Sequence, residues 1–170
     1  VGDGADVTRT PVAARRAAGL ACIPEDRNVQ GLVPDLPVSE NLVLGDVSAH
    51  RRPGWRRLLG VDPARVREHA RALIARFDLR PADPDAPLRT LSGGNAQKAL
   101  VAREVSRRPA VLVAGQPTRG VDVGAIEAIH AEIRAVRDAG AAVLVVSADL
   151  AEVLALSDRV AVFARGRIAG

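Results

Sequence analysis

Leu91-Ser-Gly-Gly-Asn-Ala-Gln-Lys98 decides how this chain is read. The octet follows a Pro- and Asp-rich stretch at 80–87 and opens a helix expected over about 92–107. Ser92 is a good N-cap, because its oxygen can accept from a free backbone N–H of the first turn. Gly93 and Gly94 carry no Cβ, so a bulky anion can come close to the backbone. The helix start adds unpaired donors and a partial positive charge. Together these properties describe a seat for phosphate. A lone Ser-Gly-Gly would describe only a glycine-rich helix start; the full octet carries more.

Outward from the octet, the last third alternates apolar strand and amphipathic helix. Ala110–Ala114 reads as a strand buried on both faces, Val123–Ala139 as a helix stopped by Gly140, and Ala141–Ser147 as a second buried strand. A short helix at Asp149–Leu156 and a third strand at Val160–Phe163 follow. Strands separated by helices imply right-handed crossovers and a parallel sheet. The helix at 92–107 should bury Ala99, Leu100, Ala102 and Val105.

Upstream, Val66, Ala70, Leu73, Ile74 and Phe77 form one stripe of an amphipathic helix over about Asp62–Phe77, with Arg65, Arg67, Glu68 and Arg71 pointing away. Thr10 as N-cap and Pro11 at the first helical position start another helix, ended by Gly19 in the left-handed conformation. Leu20–Ile23 is a short strand closed by Pro24, residues 24–37 a loop, and Ser39-Glu40-Asn41 opens a short helix. Residues 1–8 hold one short extended piece, and 46–60 are arginine-rich and irregular around Trp55.

Composition narrows the function. The chain has 170 residues, 48% of them hydrophobic, enough for a core and against general disorder. No stretch approaches the roughly 20 apolar residues of a membrane-spanning helix, and no signal peptide is visible. Cys22 is alone, which gives internal disulfides, zinc and thiol catalysis no support. The net charge is +4, the arginines are scattered, Lys98 is the only lysine and aromatics are 2%, so platforms for stacking bases are nearly absent. No nucleic-acid partner is expected. The chain starts at Val1 and stops at Gly170, just after an expected strand, and is expected to be a piece of a longer protein.

The octet closely resembles the signature motif of ABC-type ATPases, in the LSGGN-x-QK form of the branch that imports sugars and nucleosides. Val111-Leu-Val-Ala-Gly-Gln-Pro-Thr-Arg-Gly-Val-Asp122 is similar to that family's Walker B strand and D-loop, in the same order. The resemblance implies an α/β fold: a P-loop NTPase-like ABC ATPase core, a mostly parallel sheet with flanking helices, carrying an α-helical subdomain insert. Residues 1–35 and 91–170 would make a partial core, and 36–90 the helical subdomain, with the signature at its end. The family's G-x-x-x-x-G-K-[S/T] loop is absent; Gly2-Asp3-Gly4 lacks the lysine and the hydroxyl, so the core is expected to be truncated at its N-terminal side.

The resemblance also assigns roles. In the family the Walker B strand ends Asp-Glu, the first serving Mg²⁺ and the second the attacking water. Here Gly115 and Gln116 stand there. Glutamine can hydrogen-bond a water but cannot take its proton, and general-base help is worth roughly 10²–10⁴-fold. Ala148 occupies the place of the family's switch histidine, so no catalytic residue is expected intact, and no metal ligand. His50, His69 and His130 are given no catalytic role, and His130 is read onto a solvated helix face. Glu25 stands where a Q-loop glutamine lies in the family, either near metal and water or as a surface charge. Asp122 matches the D-loop aspartate and equally reads as the N-cap of the following helix, and both readings can hold.

ABC ATPases work as head-to-tail pairs, each nucleotide held between one lobe's Walker motifs and the other's signature. The resemblance therefore implies ATP contacts by Ser92, Gly93, Gly94, Asn95, Gln97, Asp122 and Glu25, with Mg²⁺ held mainly by the partner half. Implied partners are an N-terminal ATPase half of the same protein, transmembrane permease subunits and, indirectly, a substrate-binding lipoprotein. The implied location is peripheral, on the cytoplasmic face of the cell membrane. The 116–130 stretch looks most like the second ATPase half of nucleoside importers. Importers of ribose- or galactose-type sugars are the alternative. The rival classes are a soluble ABC-type ATPase acting on nucleic acid or ribosomes, and a regulatory lobe with vestigial nucleotide contacts.

Overall fold

The structure, a computed structural model, describes residue 4, residues 6–52, residue 54 and residues 60–169. Trp55 and the pair Arg56-Arg57 lie outside the described residues. The described part of 1–8 contains no strand.

Three strands form a parallel sheet in the order β1 (Leu20–Ile23), β2 (Val111–Gly115), β3 (Ala142–Val146). Their register aligns Ala21, Leu112 and Val143 in one row and Ile23, Ala114 and Val145 in the next. These rows face inward: Ala21, Ile23, Leu112 and Ala114 are buried. The alternate residues face the other way, and Leu144 and Val146 are more than half exposed. The expectation that the second and third strands are buried on both faces is therefore corrected. Burial alternates with the pleat along each strand.

The helices follow from caps and periodicity. α1 (Val12–Ala17) begins one residue later than the sequence suggests. Pro11 is its N-cap, while the Thr10 hydroxyl donates back to the Val7 carbonyl at 2.9 Å instead of capping. Gly19 ends it at φ +90°, as expected of a residue without Cβ. α2 (Val38–Val43) packs on α3 (Pro63–Phe77). In α3 all five stripe residues are buried, Asp62 caps the first turn, and Asp78 closes the last in the left-handed conformation. α4 (Gly93–Val105), α5 (Val123–Asp138) and α6 (Leu150–Leu156) follow, their N-caps being Ser92, Asp122 and Asp149.

α4 is the centre of the molecule. It touches α2, α3, α5 and β1, and it is buried nearly all round rather than on one face. Its far end therefore holds a charged cluster inside the protein. Glu104, fully buried, accepts from Arg16 Nη2 at 3.0 Å and from Arg103 Nε at 2.9 Å. Arg103 Nη1 also donates to the carbonyls of Gly31 and Asn41, at 2.8 and 3.2 Å. Burial pulls the Arg103 pKa down, and the adjacent Glu104 carboxylate opposes that pull. Near the start of α4, Lys98 Nζ donates to the Asp78 carbonyl at 2.6 Å, tying the end of α3 to the octet.

The strand expected at Val160–Phe163 is replaced by a small hairpin. β4 (Phe163–Ala164) pairs antiparallel with β5 (Arg167–Ile168) across Arg165-Gly166, both at positive φ. That is the geometry of a two-residue hairpin turn.

Candidate functional site

The site grows from two facing pieces, the first turn of α4 and the loop 116–122 that follows β2. Ser92 caps α4: its Oγ accepts from the Asn95 backbone at 3.3 Å and from Asn95 Nδ2 at 3.0 Å. Asn95 Oδ1 in turn accepts from the Arg80 backbone at 3.0 Å. Ser92 and Gly93 are exposed, and no residue of the first turn is itself acidic, although the Asp122 carboxylate packs against Gly94 from the following loop. This is the part of the octet open to an anion.

Leu91, Gly94, Ala96 and Gln97 of the octet face inward, and Asn95 and Lys98 are half-buried. Gln97 is buried and donates from Nε2 to the Pro117 carbonyl at 2.7 Å. Gly94 is buried too, and a Cβ there would lie 2.5 Å from Asp122 Oδ2 and 3.3 Å from Ala125 Cβ. The second glycine thus serves the close approach of α5 and its cap. Asp122 cannot simply swing aside, because its Oδ1 accepts from the Ala125 backbone at 3.0 Å. We expect Gly94→Ala to destabilise the fold by about 1–3 kcal/mol through overpacking. Urea unfolding would measure it, and in the double variant with Asp122→Ala the two losses should sum to less than their separate values.

Loop 116–122 is gripped along its length. Gln116 sits at φ +48°, with its backbone N–H on the Val146 carbonyl at 2.8 Å and its Oε1 3.4 Å from the Ser147 hydroxyl. Thr118 Oγ1 donates to Glu152 Oε1 at 2.5 Å, and His130 Nε2 lies 3.4 Å from the same oxygen. All three residues are buried. The reading of His130 on a solvated face is corrected: α6 lies over that face of α5 and supplies a carboxylate for it. Arg119 Nη1 pairs with Glu25 Oε1 at 2.6 Å. Arg27 Nη1 donates to the Arg119 carbonyl at 2.9 Å, and its Nη2 reaches the Gly120 carbonyl at 3.5 Å.

The structure therefore brings Glu25, Gly93, Gly94, Gln97 and Asp122 around one loop. Glu25 stands as an exposed partner of Arg119. Gly115 lies beside Glu25, whose backbone nitrogen would be 3.3 Å from a Cβ at that position. Ala148 is exposed just before the Asp149 cap of α6. Sequence reasoning missed Arg27, Arg119 and the Thr118–Glu152–His130 trio. Their partners lie 22 to 94 residues away, so no local spacing signals them. Among the described residues no group of three or more His, Cys, Asp or Glu could hold a metal ion. The exposed first turn of α4 fits a phosphate oxygen. No helix among the described residues is long and apolar enough to cross a membrane.

No family model matches the chain. It is 46% identical over 151 residues to the guanosine import ATP-binding protein NupO of Bacillus subtilis (strain 168), covering 89% of this chain and 29% of that protein. It is 45% identical over 167 residues to the ribose import ATP-binding protein RbsA 1 of Streptomyces avermitilis, covering 98% of this chain and 31% of that protein. A nucleotide-free ATP-binding cassette from an ABC transporter superposes with a TM-score of 0.75 at 23% identity, over 99% of this chain and 66% of that one. The chain spans about three-tenths of the length of the curated relatives it matches. A parallel sheet with flanking helices, a capped helix at the LSGGN octet and these likenesses lead to one statement: the chain has the ABC ATPase fold, and its homologues are ATP-binding proteins of nucleoside and sugar importers.

Proposed function

We propose that this chain is the C-terminal ATPase half, or the part of it at hand, of the ATP-binding subunit of a nucleoside importer. In this reading it lends the first turn of α4 to a composite ATP site whose Walker residues and Mg²⁺ lie on the N-terminal half of the same protein. Ser92, Gly93 and Asn95 meet the nucleotide, while Gly94, Gln97, Asp122 and Glu25 hold the surrounding loops. Residues 36–90 act as the helical subdomain, and 1–35 with 91–170 as the α/β core.

One contrast carries the reading. The helix start is capped and open, while positions 115 and 116 bear no carboxylate. This half grips anion and leaves the water chemistry to its partner. The permease would dock in the cleft beside residues 29–33 and 44–45, where Arg16 Nε is buried without an acceptor. The protein would then work peripherally at the cytoplasmic face of the membrane, fed through a substrate-binding lipoprotein. A simple-sugar cargo is the second reading, favoured by the equally high identity to a ribose import protein.

Gln116→Ala in the full-length protein is the test. Turnover within about threefold of wild type is expected, because glutamine supplies no general base. A collapse to a hundredth would make this side the catalytic one. Co-purification with a permease, rather than with nucleic acid, separates the reading from its soluble rival.

A further inference from the structure

Residues 46–50 fold back on α3 through two histidines. The single 3₁₀ turn Val47–His50 sets the His50 ring against the His69 ring of α3, with centroids 4.7 Å apart and planes at 61°, an edge-to-face contact. His50 Nδ1 lies 3.1 Å from the Asp46 carbonyl. A carbonyl only accepts, so Nδ1 carries the hydrogen and Nε2 is left to take a second proton. The backbone continues the contact. The Asp62 N–H donates to the His50 carbonyl at 2.9 Å, and Asp62 Oδ1 accepts from the Ala64 backbone at 3.1 Å to cap α3. One turn and the start of one helix thus lean on the same pair of rings.

Both rings border a cavity of about 60 Å³, with Leu42 of α2, Asp46, and Arg103 and Arg107 at the end of α4. Asp46 is the one carboxylate in that lining. Of the two guanidinium groups, Arg103 is matched by Glu104, while Arg107 donates to the Gly45 carbonyl at 3.2 Å, a neutral partner. The other charges nearby lie outside the cavity: Arg51, Arg65 and Glu68 are exposed, Arg52 is half-buried, and Asp62 spends an oxygen on its cap. With both rings neutral, one carboxylate faces one unmatched guanidinium. With both protonated, it faces three cations, and like charges this close in a half-buried site repel. His69 shows the direction. Burial first, and then the His50 ring, hold its pKa below the ordinary histidine range, and Asp46 offsets them only in part. The unfolded chain therefore binds more protons at His69, and the stability this site contributes is whole above that range and lost as pH falls through it.

We propose that His50 and His69 form an acid-sensitive latch, which holds the 46–50 turn to the start of α3 while both rings are neutral and lets the two part when both are protonated. The device is local. α3 keeps its apolar stripe against α2 and α4, so acid loosens its first turn before the core. The inference stands apart from any importer role and needs no occupant of the cavity.

Hydrogen exchange on the full-length protein, resolved to single amides, tests it. The Ala49 and Asp62 amides, bonded to the Asp46 and His50 carbonyls, are the reporters. Their protection, corrected for the intrinsic pH dependence of exchange, should fall about tenfold or more between about pH 7.5 and about pH 5.5. Protection at Leu112 and Ile129, in the core, should hold within about twofold over the same interval. His69→Phe keeps a ring against His50 without a charge, and His69→Gln keeps polarity without one. In both, the acid-induced fall at Ala49 and Asp62 should shrink to less than about twofold. Circular dichroism at neutral pH shows which variants fold, and one that folds is enough. An undiminished fall in a folded variant overturns the latch. So does a wild type whose reporters ignore pH, or one that loses protection equally at Leu112 and Ile129.

Discussion

Ser92→Arg in the full-length protein is expected to lower ATP turnover by about two orders of magnitude or more, the scale on which a preorganised donor to a developing anion acts. The substitution strikes the site in three ways. It removes the oxygen that accepts from the Asn95 backbone and side chain. It sets a cation at the positive end of a helix, against the dipole. It fills the exposed space beside Gly93 with a long side chain. Loss of the cap costs only about 1 kcal/mol of stability, so the variant should remain folded. Steady-state ATPase assay, with circular dichroism as the folding control, reads the result. Unchanged turnover would remove the first turn of α4 from the active site.

Glu104→Ala carries the largest expected effect on stability, a loss of about 3–5 kcal/mol. Arg16 and Arg103 both point at this carboxylate, and it has no exposure of its own. Removing it takes the carboxylate from two guanidinium groups, one of them nearly as buried as the carboxylate and left with only the Gly31 and Asn41 carbonyls. A domain is stable by only about 5–15 kcal/mol, so a deficit of that size consumes much of the margin. Chemical denaturation would read it as a lowered midpoint with unchanged slope. Glu104→Gln should recover part of the loss by restoring acceptor oxygen to both arginines. A loss below about 1 kcal/mol for Glu104→Ala would mean that the cluster adds no net stability.

Most of the fold was legible because the local signals agreed. Ser92 and Asp122 cap the helices the sequence assigned to them, the helices expected from Asp62 and Asp149 form with those two residues as N-caps, and Leu20–Ile23 forms the expected strand. The failures have two causes. Tertiary surroundings decided β3 and His130, and contacts local in the chain decided Thr10 and Val160–Phe163. The Thr10 hydroxyl found a nearer acceptor at Val7. β3 has one open side, His130 lies under α6, and Arg165-Gly166 turns the chain where Asn-Gly would be the familiar signal. At the site, the open helix start could be read from Ser92-Gly93. The inward duties of Gly94 and Gln97 could not, because each depends on a residue more than 15 positions away.

The fastenings on the 116–122 loop have an evolutionary corollary. Side-chain anchors bear on Pro117, Thr118, Arg119, Gly120 and Asp122. Positions 115 and 116 are pinned by backbone pairing and one long hydroxyl contact. Drift at those two positions can strip out reactivity without loosening posture. Under the proposed division of labour, such a lobe can outlive its own chemistry, kept for the shape it lends to a neighbour.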